Sequence, residues 1–287
     1  MLALRERSCI MVTMNRLTTA KRVAVVAALV EGNSIRATVR MTGVAKNTIA
    51  KLLLELGGAC ARYQDEHLRN LSCKRLQCDE IWSFVGAKDK NVPAEKRGEF
   101  GIGSVWTWTC IDADTKLIPA WLVSTRDGGA AYEFMHNVAA RMKNRVQLTT
   151  DGHKPYLAAV EDAFGNDIDF ATLVKIYGVD PQAERRYSPP VCLGCESKTI
   201  TGMPDPKHIN TSFVERQNLT MRMSMRRFTR LTNAFSKKVE NHAAAIALYF
   251  MYYNFGRVHQ TLRVTPAMAS GVAEHVWAIE EIVGLLG

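Results

Sequence analysis

Three stretches near the N-terminus carry apolar residues at helical spacing. They cover residues 18–32, 34–42 and 45–56. Thr18, Thr19 and Ser34 are residue types that favour the first position of a helix, and Gly43 is typical of a turn. Gly57-Gly58 is expected to end the third helix, so that residues 59–71 form a separate, polar helical connector.

A helix, a tight turn containing glycine and a second helix form the helix-turn-helix plan, in which the last helix enters the major groove of DNA. The outward side chains at the start of the third predicted helix are those of Lys46, Asn47, Thr48 and Lys51. This is the end of such a helix that reads base edges. A three-helix bundle whose polar side faces water accounts for the same pattern. We predict a DNA-binding helix-turn-helix region over residues 1–72.

The next stretches are rich in β-branched and aromatic residues. Residues 75–86, 102–112 and 117–124 predict three antiparallel strands in a meander. A helix, a strand, a helix and a strand then follow at residues 128–142, 146–150, 155–164 and 170–177. Residues 178–206 contain five prolines and are expected to form a long loop. This order predicts an α/β fold with a mixed sheet.

The last part of the chain predicts two helices, separated by a basic segment. The first lies within residues 209–230 and has helix-entry residues at Asn210 and Thr211. Eight Lys or Arg residues and one acid, Glu215, occur between residues 207 and 238. Such a lone carboxylate is either a surface ion-pair partner or a metal ligand beside the path of a polyanion. The second helix covers residues 239–253 and is largely apolar.

The net charge of the chain indicates the kind of partner that it binds. The chain of 287 residues carries a formal charge of +9, which favours a polyanionic partner. The charge is +7 over residues 1–74, −3 over residues 75–206 and +5 over residues 207–287. Basic flanks around an acidic centre suit a protein whose ends contact phosphates and whose middle supplies carboxylates.

The cysteines and the apolar runs bear on location. Seven cysteines without regular spacing argue against a disulfide framework and for a reducing compartment. The longest apolar runs, residues 23–30 and 243–253, are far shorter than the roughly 20 residues that cross a bilayer. We therefore expect a cytoplasmic protein without a membrane partner. Cys192 and Cys195 have the spacing of a metal knuckle, but a structural zinc site wants four ligands, so no zinc is predicted.

Three acids are candidates for a metal site. Asp79 lies in the middle of a predicted strand, where a carboxylate is costly unless it has a partner. Asp151 directly follows the short strand at residues 146–150, and Glu215 lies on the later helix. Oxygen ligands of this kind suit Mg²⁺ or Mn²⁺, and two such ions can drive phosphodiester chemistry. Glu80 should point to the opposite face of the strand from Asp79.

Four segments of the chain together resemble the transposases of bacterial insertion sequences, of the insertion-sequence-one type. They are DEIWSFVG around Asp79, TTDGHKPY around Asp151, SFVERQNLTMRMSMRRFTRLTNAFSKK around Glu215, and YNFGRVHQTLRVTPAMASG near the C-terminus. The resemblance covers residues 73–271. It implies a ribonuclease-H-like catalytic core over residues 73–238, similar to that of retroviral integrases, with a helical tail over residues 239–287.

The resemblance implies a DDE transposase with Asp79, Asp151 and Glu215 as the metal-binding catalytic triad. It further implies that two Mg²⁺ or Mn²⁺ ions assist cleavage at the element's ends and strand transfer into target DNA. The candidate DNA contacts in this region are Arg222, Arg226, Arg227, Arg257 and His259. The expected partners are double-stranded DNA and further copies of this chain, in a bacterial, nucleoid-associated setting. A transposase-derived repressor without catalysis and a structure-selective nuclease remain alternatives.

Overall fold

A six-stranded mixed sheet lies at the centre of the fold. The computed structural model describes residues 17–178, 191–229 and 233–287. The strands are β1 (Arg75–Val85), β2 (Gly103–Asp112), β3 (Ala120–Ser124), β4 (Val146–Thr150), β5 (Ile168–Gly178) and β6 (Val191–Thr201). Their order in the sheet is β3-β2-β1-β4-β5-β6. The mixed α/β class predicted from the sequence is confirmed.

The direction of the strands changes across the sheet. β1, β2 and β3 form an antiparallel meander, whereas β4 pairs in parallel with both β1 and β5. β1 pairs with β4 only from Arg75 to Cys78, because β4 ends at Thr150, opposite Cys78. The residues that come next, Asp79 and Asp151, therefore lie where these two strands separate.

The prediction of a loop over residues 178–206 is wrong, because most of the described residues in this range form a strand. β6 spans Val191–Thr201 and pairs antiparallel with β5. Residues 179–190 lie outside the described part of the chain. Prolines 204 and 206 follow the strand and do not interrupt it, so they do not remove any of its ladder hydrogen bonds.

Nine α-helices are described. They are α1 (Thr19–Val30), α2 (Ile35–Thr42), α3 (Lys46–His67), α4 (Gly128–Ala139), α5 (Pro155–Phe164), α6 (Ser212–Ser224), α7 (Val239–Met251), α8 (Pro266–Ala269) and α9 (Ile279–Gly284). The side chains of Thr18 and Ser34 accept backbone N–H groups at the starts of α1 and α2. The first two predicted helices are confirmed; that the N-terminal helices form a helix-turn-helix stays a prediction, as do the three domain boundaries.

Helices cover both faces of the sheet. α4 and α5 lie on the face of Glu80 and Trp108, where the Trp108 ring contacts the rings of Phe134 and Tyr156. α6 lies on the opposite face, because Gln77 of β1 accepts backbone N–H groups at its first turn. Within the described ranges, no helix combines the length and apolarity needed to cross a membrane.

The predicted end of the third helix at Gly57-Gly58 is wrong. α3 continues without a break to His67 and packs against α7. A Cβ atom at Gly57 would lie 2.4 Å from the carbonyl oxygen of Ala244 and 2.6 Å from its Cβ. The glycine is required for this close approach of two helices, and tertiary packing offsets its low helix propensity.

This contact predicts opposite effects for two adjacent substitutions. We expect Gly57→Ala to destabilise the fold by about 1–3 kcal/mol, the usual cost of overpacking. At Gly58 the nearest atom to an added Cβ is Arg62 Nη1, at 3.6 Å. Gly58→Ala should therefore stabilise the helix by about 0.5–1 kcal/mol. Urea unfolding of both variants checks this, and equal shifts in one direction would contradict the packing argument.

Candidate active site

Three carboxylates meet where β1 and β4 separate. Oxygen atoms of Asp79, Glu80 and Asp151 lie within 4.8 Å of one another. Asp79 and Glu80 point to opposite faces of β1, as predicted, since Gln77 and Asp79 face α6 whereas Glu80 faces α5. Because β4 has ended at Thr150, Asp151 lies close to both carboxylates. The sequence predicted the approach of Asp79 and Asp151 but not that of Glu80.

Asp79 is held by two hydrogen bonds. Its Oδ1 accepts the backbone N–H of Glu80 at 2.8 Å, and its Oδ2 accepts Nδ2 of Asn218 on α6 at 2.8 Å. Burial, together with the negative charge of Asp151, raises the pKa of Asp79 to about 6. Glu215 adds a smaller upward effect on the pKa of Asp79. A cation in this position would relieve both the burial cost and the repulsion.

Glu80 is the most buried of the three acids. Its side chain is 0% exposed, and its Oε2 accepts Nε of Arg126 at 3.0 Å. Its Oε1 is buried, and the hydroxyl of the buried Tyr156 on α5 acts on this carboxyl as a hydrogen-bond partner. Burial raises the pKa of Glu80 to about 7, and the nearby charges of Asp151 and Asp79 act in the same direction.

Arg126 links two of the acids. Its Nη2 lies 3.7 Å from Oδ2 of Asp151, while its Nε donates to Glu80. The guanidinium lies over the ring of Trp106, 4.8 Å from the ring centre. Arg126 thus partly neutralises Glu80 and Asp151.

The raised pKa of Glu80 predicts a pH-dependent stability. A carboxyl whose pKa is higher in the folded state stabilises the fold at low pH, and this contribution is lost as the pH rises through the folded value. Without divalent ions, Glu80→Gln should therefore be more stable than the wild type by roughly 3 kcal/mol near pH 8, and equal to it only near pH 4, below the ordinary pKa of a glutamate. Urea unfolding in EDTA measures this. Glu161→Gln, an exposed acid on α5, should change stability at neither pH.

Glu215 lies apart from the group of three. Its Oε2 is 2.5 Å from Nζ of Lys175 on β5, and its Oε1 accepts the hydroxyl of Thr211 at 2.7 Å. Asn218, which donates to Asp79, follows Glu215 by three residues on the same helix. Glu215 therefore faces the cluster from α6, with the ammonium group of Lys175 as its cation.

The donor set fits a hard divalent cation. Asp79, Glu80 and Asp151 are the one group of three or more ligating side chains found among the described residues. Burial and the neighbouring acids raise the pKa of both Asp79 and Glu80, which marks a place where positive charge is lacking. Carboxylate oxygens are the ligands that Mg²⁺ and Mn²⁺ prefer.

The predicted DNA contacts fall in three places. Lys46, Asn47 and Lys51 are exposed at the start of α3, with Thr48 half-buried, and Lys51 lies 3.7 Å from Glu55. In and after the last turn of α6, Arg222 and Arg226 are exposed. Arg257 and His259 lie beyond α7, beside a cavity separate from the three acids. Their binding of DNA stays a prediction.

Arg227 differs from these exposed cations. Its Nη1 donates to Oγ of Ser236 at 2.6 Å, and burial lowers its pKa to about 10. Ser236 in turn contacts Nδ1 of the buried His242. In this position Arg227 joins the segment after α6 to α7, and its contact with DNA stays a prediction.

The two cysteines with metal-knuckle spacing, Cys192 and Cys195, lie on the surface. Cys192 and Cys195 are exposed on β6, at the edge of the sheet, whereas Cys73 and Cys78 are buried. His208 contacts Arg75 and lies near Asp205.

Sequence reasoning missed four residues of the site: Gln77, Arg126, Lys175 and Asn218. Gln77 anchors α6, and Asn218 and Lys175 hold Asp79 and Glu215. Asn218 had a signal, since it lies one helical turn after Glu215. Arg126 and Lys175 approach the acids only because distant segments fold together, so the residues next to them in the sequence do not indicate their role.

Comparison with protein-family models and with curated proteins finds no match to this chain. Among solved structures, the chain is similar to the piggyBac transposase in a synaptic complex with hairpin DNA. The sequence identity is 10%, the match covers 93% of this chain and 69% of that chain, and the TM-score is 0.40. A similarity this distant carries no argument about function, which rests on the residues above.

Proposed function

We propose that this chain is a DDE transposase, which cleaves DNA at the ends of an insertion sequence and joins the freed end to target DNA in a metal-dependent reaction. The observation that carries the proposal is the meeting of Asp79 and Asp151 at the point where the parallel strands β1 and β4 separate. Asp151 follows the carboxyl end of β4, where sites form in sheets of this kind, and Asp79 lies beside it on β1, one residue beyond the last pair with β4.

The roles follow from the surroundings of each acid. Asp79 and Asp151 would hold the cations, and we assign Glu215 as the third ligand because it faces Asp79 from α6. When bound, two divalent ions activate the attacking oxygen and stabilise the leaving one. Asn218 and the backbone of Glu80 orient Asp79, and Arg126 orients Glu80 beside Asp151.

Lys175 has a role in this scheme because it lies against Glu215. Without a divalent ion, its ammonium offsets the charge of Glu215 next to the other acids. Its pairing with Glu215 also orients this carboxylate from β5. The protein's own contribution to phosphoryl transfer is thus position and charge.

The partner is proposed to be double-stranded DNA, bound through the basic N-terminal and C-terminal regions. The exposed side chains of Lys46, Asn47, Lys51, Arg222 and Arg226 are accessible to phosphates and bases. Pairing of two DNA ends calls for more than one copy of the chain, and we propose a homo-oligomer that acts on DNA in a bacterial cytoplasm.

A nicking assay tests the proposal. Purified protein is incubated with duplex DNA carrying the inverted repeats that flank the coding sequence, in Mg²⁺, Mn²⁺ or EDTA. We expect nicking at the repeat ends in either metal and none in EDTA, followed by joining to a second duplex. Binding without nicking in any metal would indicate a repressor, and nicking without joining would indicate a nuclease; either result would overturn the proposal.

A further inference from the structure

A second site lies beside α6, away from the three acids. It is a cavity of about 370 Å³ between α6, the turn after β2 and the segment after α7. This volume is within the range of small-molecule sites. Arg216 and Thr220 of α6 line it. On the same helix, Glu215 points to Lys175 and Asn218 points to Asp79. The two sites therefore share α6 but use different faces of it.

The walls of this cavity are strongly basic. Lys116, Arg216 and Arg257 line it, and none of the described residues around it is acidic. Among the described residues, neither Arg216 nor Arg257 takes part in an ion pair. Lys116 has the charges of Asp114 and Asp112 nearby, so the two arginines are the cations left to attract an anion, and arginine suits phosphate in particular.

The cavity also offers groups that suit a planar polar ring. Gln217 is 3% exposed, lines the cavity and donates to the hydroxyl of Tyr249 at 3.1 Å, so its amide is held in place. Gln260 supplies a second amide. Such amides pair with base edges, adenine above all. Phe213 and Tyr253 add aromatic surface, and a phosphate alone needs none of these groups.

The backbone around the cavity has an unusual shape. After α7 the chain forms a π-helical turn over Tyr252–Gly256, and Arg257 follows directly. The backbone N–H of Arg257 donates to the carbonyl of Tyr252, and the hydroxyl of Tyr253 donates to the carbonyl of Lys116 at 3.0 Å. π-helical turns occur frequently at functional sites. This turn fixes Arg257 relative to Lys116 on the other wall.

We propose that this cavity binds a nucleoside phosphate, with the phosphate on Arg216 and Arg257 and the base against the amides of Gln217 and Gln260. The ligand is either a free nucleotide or one unstacked nucleotide of a nucleic-acid strand. A base inside a duplex cannot enter a concave site of this size, because its edges and faces are covered by its neighbours. The site is separate from the acid cluster and holds whether or not the chain cleaves DNA.

Calorimetric titration tests this, in EDTA and with the full chain. The probes are deoxyadenosine monophosphate, deoxyadenosine, inorganic phosphate and a short 5′-phosphorylated deoxyadenylate. We expect the monophosphate to bind at least about tenfold tighter than the nucleoside or phosphate, since both halves of the ligand contribute. Tighter binding of the oligonucleotide than of the monophosphate identifies a strand as the source, and the reverse identifies a free nucleotide.

Variants locate the binding in the cavity. Arg257→Ala removes a phosphate contact, Arg216→Ala does the same from the other wall, and Thr220→Tyr fills the cavity without changing charge. Each should weaken nucleotide binding by at least about tenfold. Arg62→Ala, which removes an exposed arginine of α3, is the matched control and should bind as the wild type does. Thermal melting shows that each variant is folded.

Two results would overturn the inference. One is inorganic phosphate binding as tightly as the monophosphate. The other is Thr220→Tyr binding the monophosphate as well as Arg62→Ala does. Because no divalent ion is present and Asp151→Asn should bind the nucleotide normally, a failure here is distinguishable from a failure of the proposed cleavage.

Discussion

Asp151→Asn is expected to abolish nicking of element-end DNA while leaving DNA binding intact. Asp151 is placed opposite Asp79 by the end of β4, and its charge raises the pKa of Asp79. The substitution keeps the size of the side chain but removes the negative charge that a divalent ion needs. Loss of an outer partner of a metal site costs about 10- to 100-fold in activity, so loss of a ligand should cost more.

The control for this prediction is Asp167→Asn. Asp167 is exposed beyond α5, and its carboxylate lies 3.6 Å from Arg145. The same chemical change there should leave nicking unaltered. Gel-shift binding and nicking in Mg²⁺ and Mn²⁺ are measured for both variants. Nicking by Asp151→Asn at the wild-type rate would show that the acid cluster is not the catalytic site.

Glu215→Gln is expected to reduce nicking by more than about 100-fold, beyond the cost of an outer partner. This test separates Glu215 from Glu80, since both acids are candidates for the third ligand. Glu80 lies within the cluster but is fully buried and bonded to Arg126. The Glu215 side chain is 40% exposed, and its cation, Lys175, lies on the neighbouring strand β5. We therefore expect Glu80→Gln to retain more activity than Glu215→Gln.

The result is checked by nicking rates at saturating DNA. Glu196→Gln is the matched control, because Glu196 is an exposed acid on β6 that pairs with Val174 across the sheet. It should nick normally. If Glu80→Gln is inactive and Glu215→Gln is active, the third ligand is Glu80 and the role that the resemblance implies for Glu215 is wrong.

Much of the fold could be predicted from the sequence because local patterns mark it. The strand Val146–Thr150 and the helix Pro155–Phe164 have the predicted bounds, since a short apolar run and an N-terminal proline define them. The approach of Asp79 and Asp151 followed from their places on strands. That inference needed only the expectation that the two strands lie side by side.

The rest depends on contacts that the sequence does not show. From the sequence alone, Gly57 predicts the end of a helix. The reason for a glycine there, its contact with Ala244, lies far away in the chain. β6 carries no strong strand signal and is stabilised by its pairing with β5. Glu80 points away from Asp79, as alternation requires, but the early end of β4 brings both close to Asp151. Register and strand length decided this, and neither is encoded near Glu80.

Titration with Mn²⁺ tests the central claim most directly, namely that Asp79, Asp151 and Glu215 jointly hold divalent ions. Calorimetry on the wild type near pH 8, above the pKa of about 6 that burial gives Asp79, should show two Mn²⁺ ions bound. Asp151→Asn should lose this binding, whereas Asp167→Asn should keep it. Equal Mn²⁺ binding by the wild type and Asp151→Asn would contradict the account.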